Sequence, residues 1–238
     1  TKITTIPGVP KQTYVNMLLA SPHDENVVFA CFNNHKKGDF LPYVYKSNDK
    51  GRTWTSITSN LPTRGSTYAI AQDHIDPNLL FVGTEFGLFV SNNGGISWVR
   101  MKSGLPTIAV RDIAIQKREN DLVLGTFGRG FYVLDDYSAL RNSNEETLSA
   151  HGFLFSVRDP LLYEPSYPMG LPGQSFQGDS YYRGENLPSV AMFTYYLKDD
   201  IQSIQEQRRK REKKQQKEGL NAVYPSYEAL KAERAEKA

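Results

Sequence analysis

The sequence predicts an all-β fold made of repeated four-stranded antiparallel meanders, and three observations carry that prediction. The segment Ser47-Asn-Asp-Lys-Gly-Arg-Thr-Trp54 recurs 44 positions later as Ser91-Asn-Asn-Gly-Gly-Ile-Ser-Trp98. Each copy is followed at the same distance by a Leu-Pro pair, Leu61-Pro62 and then Leu105-Pro106. Short apolar runs bounded by Asp, Asn and Gly occupy the spaces between, which is strand-and-turn chemistry. A fixed period of this length means stacked units, none of which buries its apolar face alone.

Three units align: about Tyr14 to Pro62, Tyr68 to Pro106, and Val110 to Asp136. In the second unit the predicted strands are Tyr68–Ala71, Leu79–Gly83, Gly87–Ser91 and Ser97–Met101. The third unit matches Gly125–Val133 to Gly83–Val90, then departs. Leu134-Asp-Asp-Tyr137 stands where the repeated box would be, and no Trp follows. Its fourth strand is absent locally, so a strand from elsewhere in a longer chain is expected to close it and remove the open edge. Meanders repeating at about 40–45 residues are the blades of a β-propeller.

The expected division is therefore residues 1–137 as the last blades of a propeller, 138–188 as an irregular connection rich in Pro, Gly and Tyr, and 189–238 as the start of a β-sandwich with a helical insertion over 201–238. Phe153–Val157 reads as a strand packing back on the ring, and Val190–Leu197 as a second strand. Residues 201–218 read as a helix stopped by Gly219. Pro225–Leu230 begins another, with the proline near its first turn. The chain starts with Thr and enters a strand pattern without a signal-peptide region, so it reads as a piece of something longer.

Apolar residues make up 39% of the chain and aromatics 12%, enough for a packed core and too much for a disordered chain. The formal net charge is +2, unevenly spread: residues 201–238 hold ten Lys/Arg against six Asp/Glu, leaving the first 200 at −2. The repeat region thus offers no basic footprint for nucleic acid. The basic run Gln207–Lys217 lacks aromatics and an apolar face and reads as a solvated helix. No apolar run approaches the length of a membrane span. Cys31, the single cysteine, lies in the apolar run Val27–Phe32 and reads as a buried strand thiol.

The repeated box is a turn device. Gly51 and Gly95 supply positive φ. Asp49 and Asn93 offer oxygens to the turn's own N–H groups. Trp54 and Trp98 bring a large apolar body and an indole N–H. Ser47, Ser91, Thr53 and Ser97 add short hydroxyl bonds. A catalytic or metal-binding Asp49 is disfavoured, because its counterpart Asn93 keeps the oxygen and loses the charge.

The pattern Ser-x-Asp-x-Gly-x-Thr-Trp resembles the Asp-box (BNR repeat) of sialidases, sortilin-type receptors and xyloglucan-degrading propeller hydrolases. The stretch Leu61–Leu140 resembles large secreted bacterial Asp-box proteins, described as sortilin-like or glycosyl-hydrolase-like. That resemblance implies a propeller followed by a β-sandwich, and an extracytoplasmic location, whether secreted, periplasmic or on the cell surface. The sialidase Arg-Ile-Pro motif is absent. Glu85, Arg111, Arg129 and Tyr132 are of suitable type, but no spacing links them. Glu85 and Arg129 occupy equivalent turns of adjacent units and are expected at the propeller mouth, either as an inter-blade ion pair or simply solvated, with Arg111 a further mouth position. Asp112, Asp135 and Asp136 are carboxylates available for a hydrolytic pair, but Asp135-Asp136 occupies a turn where capping suffices. His23, His35, His74 and His151 show no metal spacing, so no metal or cofactor is expected. Tyr163, Tyr167, Tyr181 and Tyr182 are expected to fill the join between ring and sandwich. The expected function is non-catalytic ligand binding or scaffolding, with a glycan or protein and the rest of its own chain as partners. The alternative is part of a glycoside hydrolase whose carboxylates lie in other blades.

Overall fold

Turn chemistry cuts the first 136 residues into three antiparallel meanders in the computed structural model, which describes residues 6–160, 162–164, 189–221 and 223–236. The first contains β1 (Tyr14–Ala20), β2 (Val28–Asn34), β3 (Asp39–Ser47) and β4 (Thr55–Ser56), each paired with the next. The second contains β5 (Thr67–Gln72), β6 (Leu80–Thr84), β7 (Gly87–Ser91) and β8 (Val99–Arg100). The third has three strands, β9 (Val110–Gln116), β10 (Asp121–Thr126) and β11 (Phe131–Leu134). The protein is all-β with few helices, and its meanders stack face to face as propeller-like blades.

The stacking follows from strands that are apolar on both faces. In β2, Phe29 and Cys31 face the second meander, where they pack with Val44, Leu61, Ile70, Leu80, Val82 and Trp98. Their alternates Ala30 and Phe32 pack with Tyr43, Tyr45 and Trp54, covered by Ile6 and Val9. In β6, Leu80 and Val82 face the first meander, while Phe81 turns to the third, against Val110, Ile113, Leu122, Leu124 and Tyr137. A run such as Leu79-Leu-Phe-Val therefore reads as continuously apolar because neighbours cover both sides. Each fully buried Leu, Val or Phe contributes roughly 1.5–3 kcal/mol. On the outer side of the third meander Phe131 and Val133 remain 80% and 56% exposed.

The second fourth-strand is shorter than Ser97–Met101 because Trp98 bonds the neighbouring blade. Its N–H donates to Asn60 Oδ1 at 2.7 Å, and its carbonyl accepts from Asn60 Nδ2 at 3.0 Å. Beyond the blades, a 3-10 turn at Tyr137–Asn142 leads into α1 (Glu145–Ser149), whose cap Asn144 accepts from the Thr147 N–H. The expected strand Phe153–Val157 is β12 (Gly152–Leu154), and it pairs with β13 (Tyr195–Leu197). Val190–Leu197 likewise contracts to those last three residues: Val190, Met192 and Phe193 are about half exposed or more, with no facing sheet among the described residues to cover them. Residues 165–188 fall outside the described residues, Tyr167, Tyr181 and Tyr182 among them.

The helix α2 (Ile204–Lys217) opens on a capping box of Ser203 and Glu206. α3 (Tyr227–Ala235) is capped by Ser226, so Pro225 precedes the cap rather than entering the first turn. Arg208 joins them, bonding Glu233 and Glu212 at 2.6 Å each. No helix among the described residues is long and apolar enough to cross a membrane.

One buried ionic joint ties the second blade to the segment that leaves the third. Asp73, fully buried after β5, accepts two bonds from Arg141, both at 2.8 Å, and one from the Tyr137 hydroxyl. The Ile75 and Asp76 N–H groups add two more. Burial alone would raise the Asp73 pKa; Arg141, Tyr137 and the backbone donors outweigh it and hold the carboxyl well below its usual range. A depressed folded-state pKa contributes stability that is complete above the unfolded value of 3.8 and fades as pH falls through the lower folded value.

Three outcomes are expected. Asp73→Ala, which leaves Arg141 buried and unpaired, destabilises by about 3–5 kcal/mol in urea unfolding, and Asp73→Asn flattens the acid limb of the stability–pH curve. Gly83 sits where a Cβ would lie 2.6 Å from the Val110 carbonyl oxygen. Gly83→Ala therefore forces the second and third blades apart, at a cost of about 1–3 kcal/mol by the same measurement.

Candidate functional site

Successive strands reverse direction, so each blade has two ends. The box turns and the β5–β6 turn lie at one end; the β2–β3, β6–β7 and β10–β11 turns lie at the other, termed here the mouth end.

At the box end, Ser47 Oγ donates to Asp49 Oδ1 and accepts from the Gly51 N–H, both at 2.8 Å. Asp49 accepts from the Thr53 N–H at 2.8 Å and from its hydroxyl at 2.7 Å. These Thr53 bonds, with Ser47, hold the Asp49 carboxyl down at about 2. The second box repeats the geometry with one reversal: Asn93 Oδ1 accepts from the Ser97 N–H at 2.9 Å, while its Nδ2 donates to Ser97 Oγ at 2.8 Å. The two indoles differ in reach. Trp54 Nε1 donates to Gly51 within its own box, at 3.0 Å. Trp98 Nε1 crosses to Ile57 of the first meander, at 2.8 Å, where a Cβ on Gly95 would also crowd the Ile57 side chain.

The mouth end carries the chemistry. The first strand of every blade has a β-bulge there, each leaving one residue out of the ladder: Asn16, Tyr68 and Arg111. A bulge re-aims its extra side chain, a device common beside functional sites. Asn16 bonds across to the Thr67 carbonyl at 2.6 Å. Tyr68 donates its hydroxyl to Glu85, and Arg111 lies over the Tyr68 ring, 3.7 Å from the centroid. Burial, then the Glu85 bond, pushes the Tyr68 hydroxyl up to about 12.

Tyr68, Glu85 and Arg111 border a cleft of about 260 Å³. Arg64, Gly65 and Ser66 enter from the connection between the first two blades, Glu85 and Phe86 from the β6–β7 turn, His35 from the β2–β3 turn and Phe40 from the start of β3. A second cleft of about 230 Å³ shares Arg64, Gly65 and Phe86 and adds Arg100. Of the expected mouth residues, Glu85 and Arg111 meet here. Arg129 does not: the expected Glu85–Arg129 pair is absent, because Tyr68 occupies Glu85 and the β10–β11 turn carries Arg129 outward, exposed. Arg64, Ser66, Phe40 and Phe86 were not anticipated. The repeat held one signal, since Leu61-Pro-Thr-Arg64 aligns with Leu105-Pro-Thr-Ile108, a charge appearing where its copy is apolar. His23 and His74 sit instead against Asp73, at the box end. No cluster of metal-ligating side chains occurs among the described residues.

No protein-family model matches the sequence, and no curated protein does. Among solved structures, the chain is similar to the GH74 enzyme of Niastella koreensis, at 20% identity and TM-score 0.44, over 51% of this chain and 21% of that one. It is also similar to the GH74 xyloglucanase of Xanthomonas campestris, at 14% identity and TM-score 0.42, over 51% and 22%. A third is YCF48 bound to D1 peptide, at 16% identity and TM-score 0.40, over 57% and 39%. The chain spans about a fifth of the length of the two GH74 structures.

Because Asn93 performs the turn's work without charge, Asp49→Asn is expected to keep the melting temperature close to that of the parent, and Asp49→Ala to lower it. Equal losses in thermal unfolding would contradict a purely hydrogen-bonding role.

Proposed function

We propose that this chain is the ligand-binding part of a secreted or cell-surface propeller protein, with residues 1–137 as blades, 138–188 as connection and 189–238 as the opening of a further module. The boxes are structural, and the mouth-end cleft takes a glycan or protein ligand without chemistry. The observation that carries this reading is the cleft itself: aromatic faces from Phe40 and Phe86 beside Arg64, Arg111, Ser66 and Glu85, drawn from three blades and the connection between the first two. A small apolar cavity with a few convergent polar groups is the usual form of a binding site. A glycoside hydrolase needs two carboxylates about 5–9.5 Å apart; among the described residues Glu85 is the one carboxylate lining the cleft, and Tyr68 engages it. The partial resemblance to sortilin-like and sialidase-like proteins supports the location and the class.

The test is a panel of polysaccharides and peptides offered to the protein, with Phe40→Ala/Phe86→Ala as the cleft variant. Ligand binding is expected to weaken about tenfold or more in the variant, a change of about 1.4 kcal/mol, with no release of reducing sugar. Unchanged binding would move the site elsewhere. Sugar release abolished by Glu85→Gln would establish the hydrolase instead.

A further inference from the structure

We infer that the mouth-end cleft selects an acidic saccharide, recognising the carboxylate of a uronate-type sugar ring; this rests on the binding reading above and specifies its ligand class. Charge is the first ground. Arg64 and Arg111 line the cleft, and neither has an ion-pair or hydrogen-bond partner among the described residues, whereas Glu85 is already engaged by Tyr68. The site is therefore left with a net positive charge.

Geometry is the second ground. Arg111 lies on the Tyr68 face at 3.7 Å and within 5.2 Å of the Phe127 centroid, and Arg64 lies 5.8 Å from that of Phe40. A guanidinium stacked on a ring keeps its in-plane N–H donors available, in the fork that matches a carboxylate. The third ground is independent of both. Ser66 is 1% exposed, lines this cleft, and its hydroxyl has no hydrogen-bond partner among the described residues. A buried polar group without a partner costs about 1–3 kcal/mol, so a ligand oxygen placed against Ser66 supplies that hydrogen bond.

Why a sugar rather than a peptide follows from the backbone. Peptides commonly bind such proteins by adding to free backbone donors. Here the Gly65 N–H donates to Phe40 O, the Glu85 N–H to Ser66 O, and the Phe86 N–H to Thr84 Oγ1. Beside those engaged amides the cleft offers a ligand aromatic faces, guanidinium edges, the Ser66 hydroxyl, the His35 ring and the second oxygen of Glu85. Phe40 and Phe86, 46% and 42% exposed, present the electron-rich faces against which the C–H side of a pyranose packs. The Arg64 and Arg111 donors take the carboxylate, and Glu85 accepts a ring hydroxyl.

The experiment is calorimetric titration of the intact protein with tetragalacturonate, with its carboxyl-reduced tetragalactose counterpart, and with a short peptide in free-acid and amidated forms. Tetragalacturonate is expected to bind about tenfold or more tightly than the reduced form, as the loss of one charge-assisted pair implies. Arg111→Gln and, separately, Arg64→Gln are expected to remove that advantage while near-ultraviolet circular dichroism stays native, and rising salt is expected to narrow it. Equal binding of both tetrasaccharides, lost in Phe40→Ala/Phe86→Ala, would overturn the acidic class and leave the binding reading standing. Binding of the free-acid peptide alone would overturn the saccharide. No binding of any probe would overturn both.

Discussion

A strand that is apolar on both faces cannot stop at one sheet. β2 and β6 impose that condition here: every second residue of each needs cover from one neighbour and the intervening ones from the other. The order of the three blades, the close backbone approach at Gly83 and the packing of Ile6 and Val9 against the first blade all follow from it. Polar cross-links then fix the register. Thr67 Oγ1, fully buried, bonds the carbonyls of Phe32 and Tyr43 in the preceding blade. Trp98 and Asn60 do the same nearer the box end.

The Asp73–Arg141–Tyr137 joint has a different character from these apolar seams. Buried ion pairs recover their desolvation penalty only with good geometry and further hydrogen bonds, and they contribute little net stability beside a well-packed apolar alternative. This one has a bidentate guanidinium, a tyrosine and two backbone donors. Its contribution is direction: the chain leaving β11 has one place to dock. Asn120 accepts a further bond from Arg141 at 2.6 Å, so the β9–β10 turn joins the same arrangement.

The architecture was legible because it is local. Box glycines, alternating apolar strands and the missing third Trp are all written within eight or ten residues of the structure they make. Strand ends were less legible wherever a distant partner decided them, as when Asn60 draws Trp98 out of β8. The tail misled for the same reason: Val190–Phe193 has the composition of a strand, but pairing needs a partner, and β12 offers three residues. At the mouth, residue types were readable and juxtaposition was not. A bulge carries no sequence signature of its own, so nothing in Tyr68 or Arg111 announced that both leave their ladders at equivalent points. Asp73 was silent too, since Tyr137 and Arg141, which fix its carboxylate, lie more than 60 residues away.

The lone thiol gives the seam between the first two blades a clock. Cys31 is fully buried between them, and burial pushes its pKa up to about 12. Thiols react as thiolates, so in the closed state an alkylating reagent finds neither access nor charge. Modification must wait until the first blade lifts from the second. The labelling rate of one side chain thus reports, in a native protein without added probes, how often neighbouring blades part.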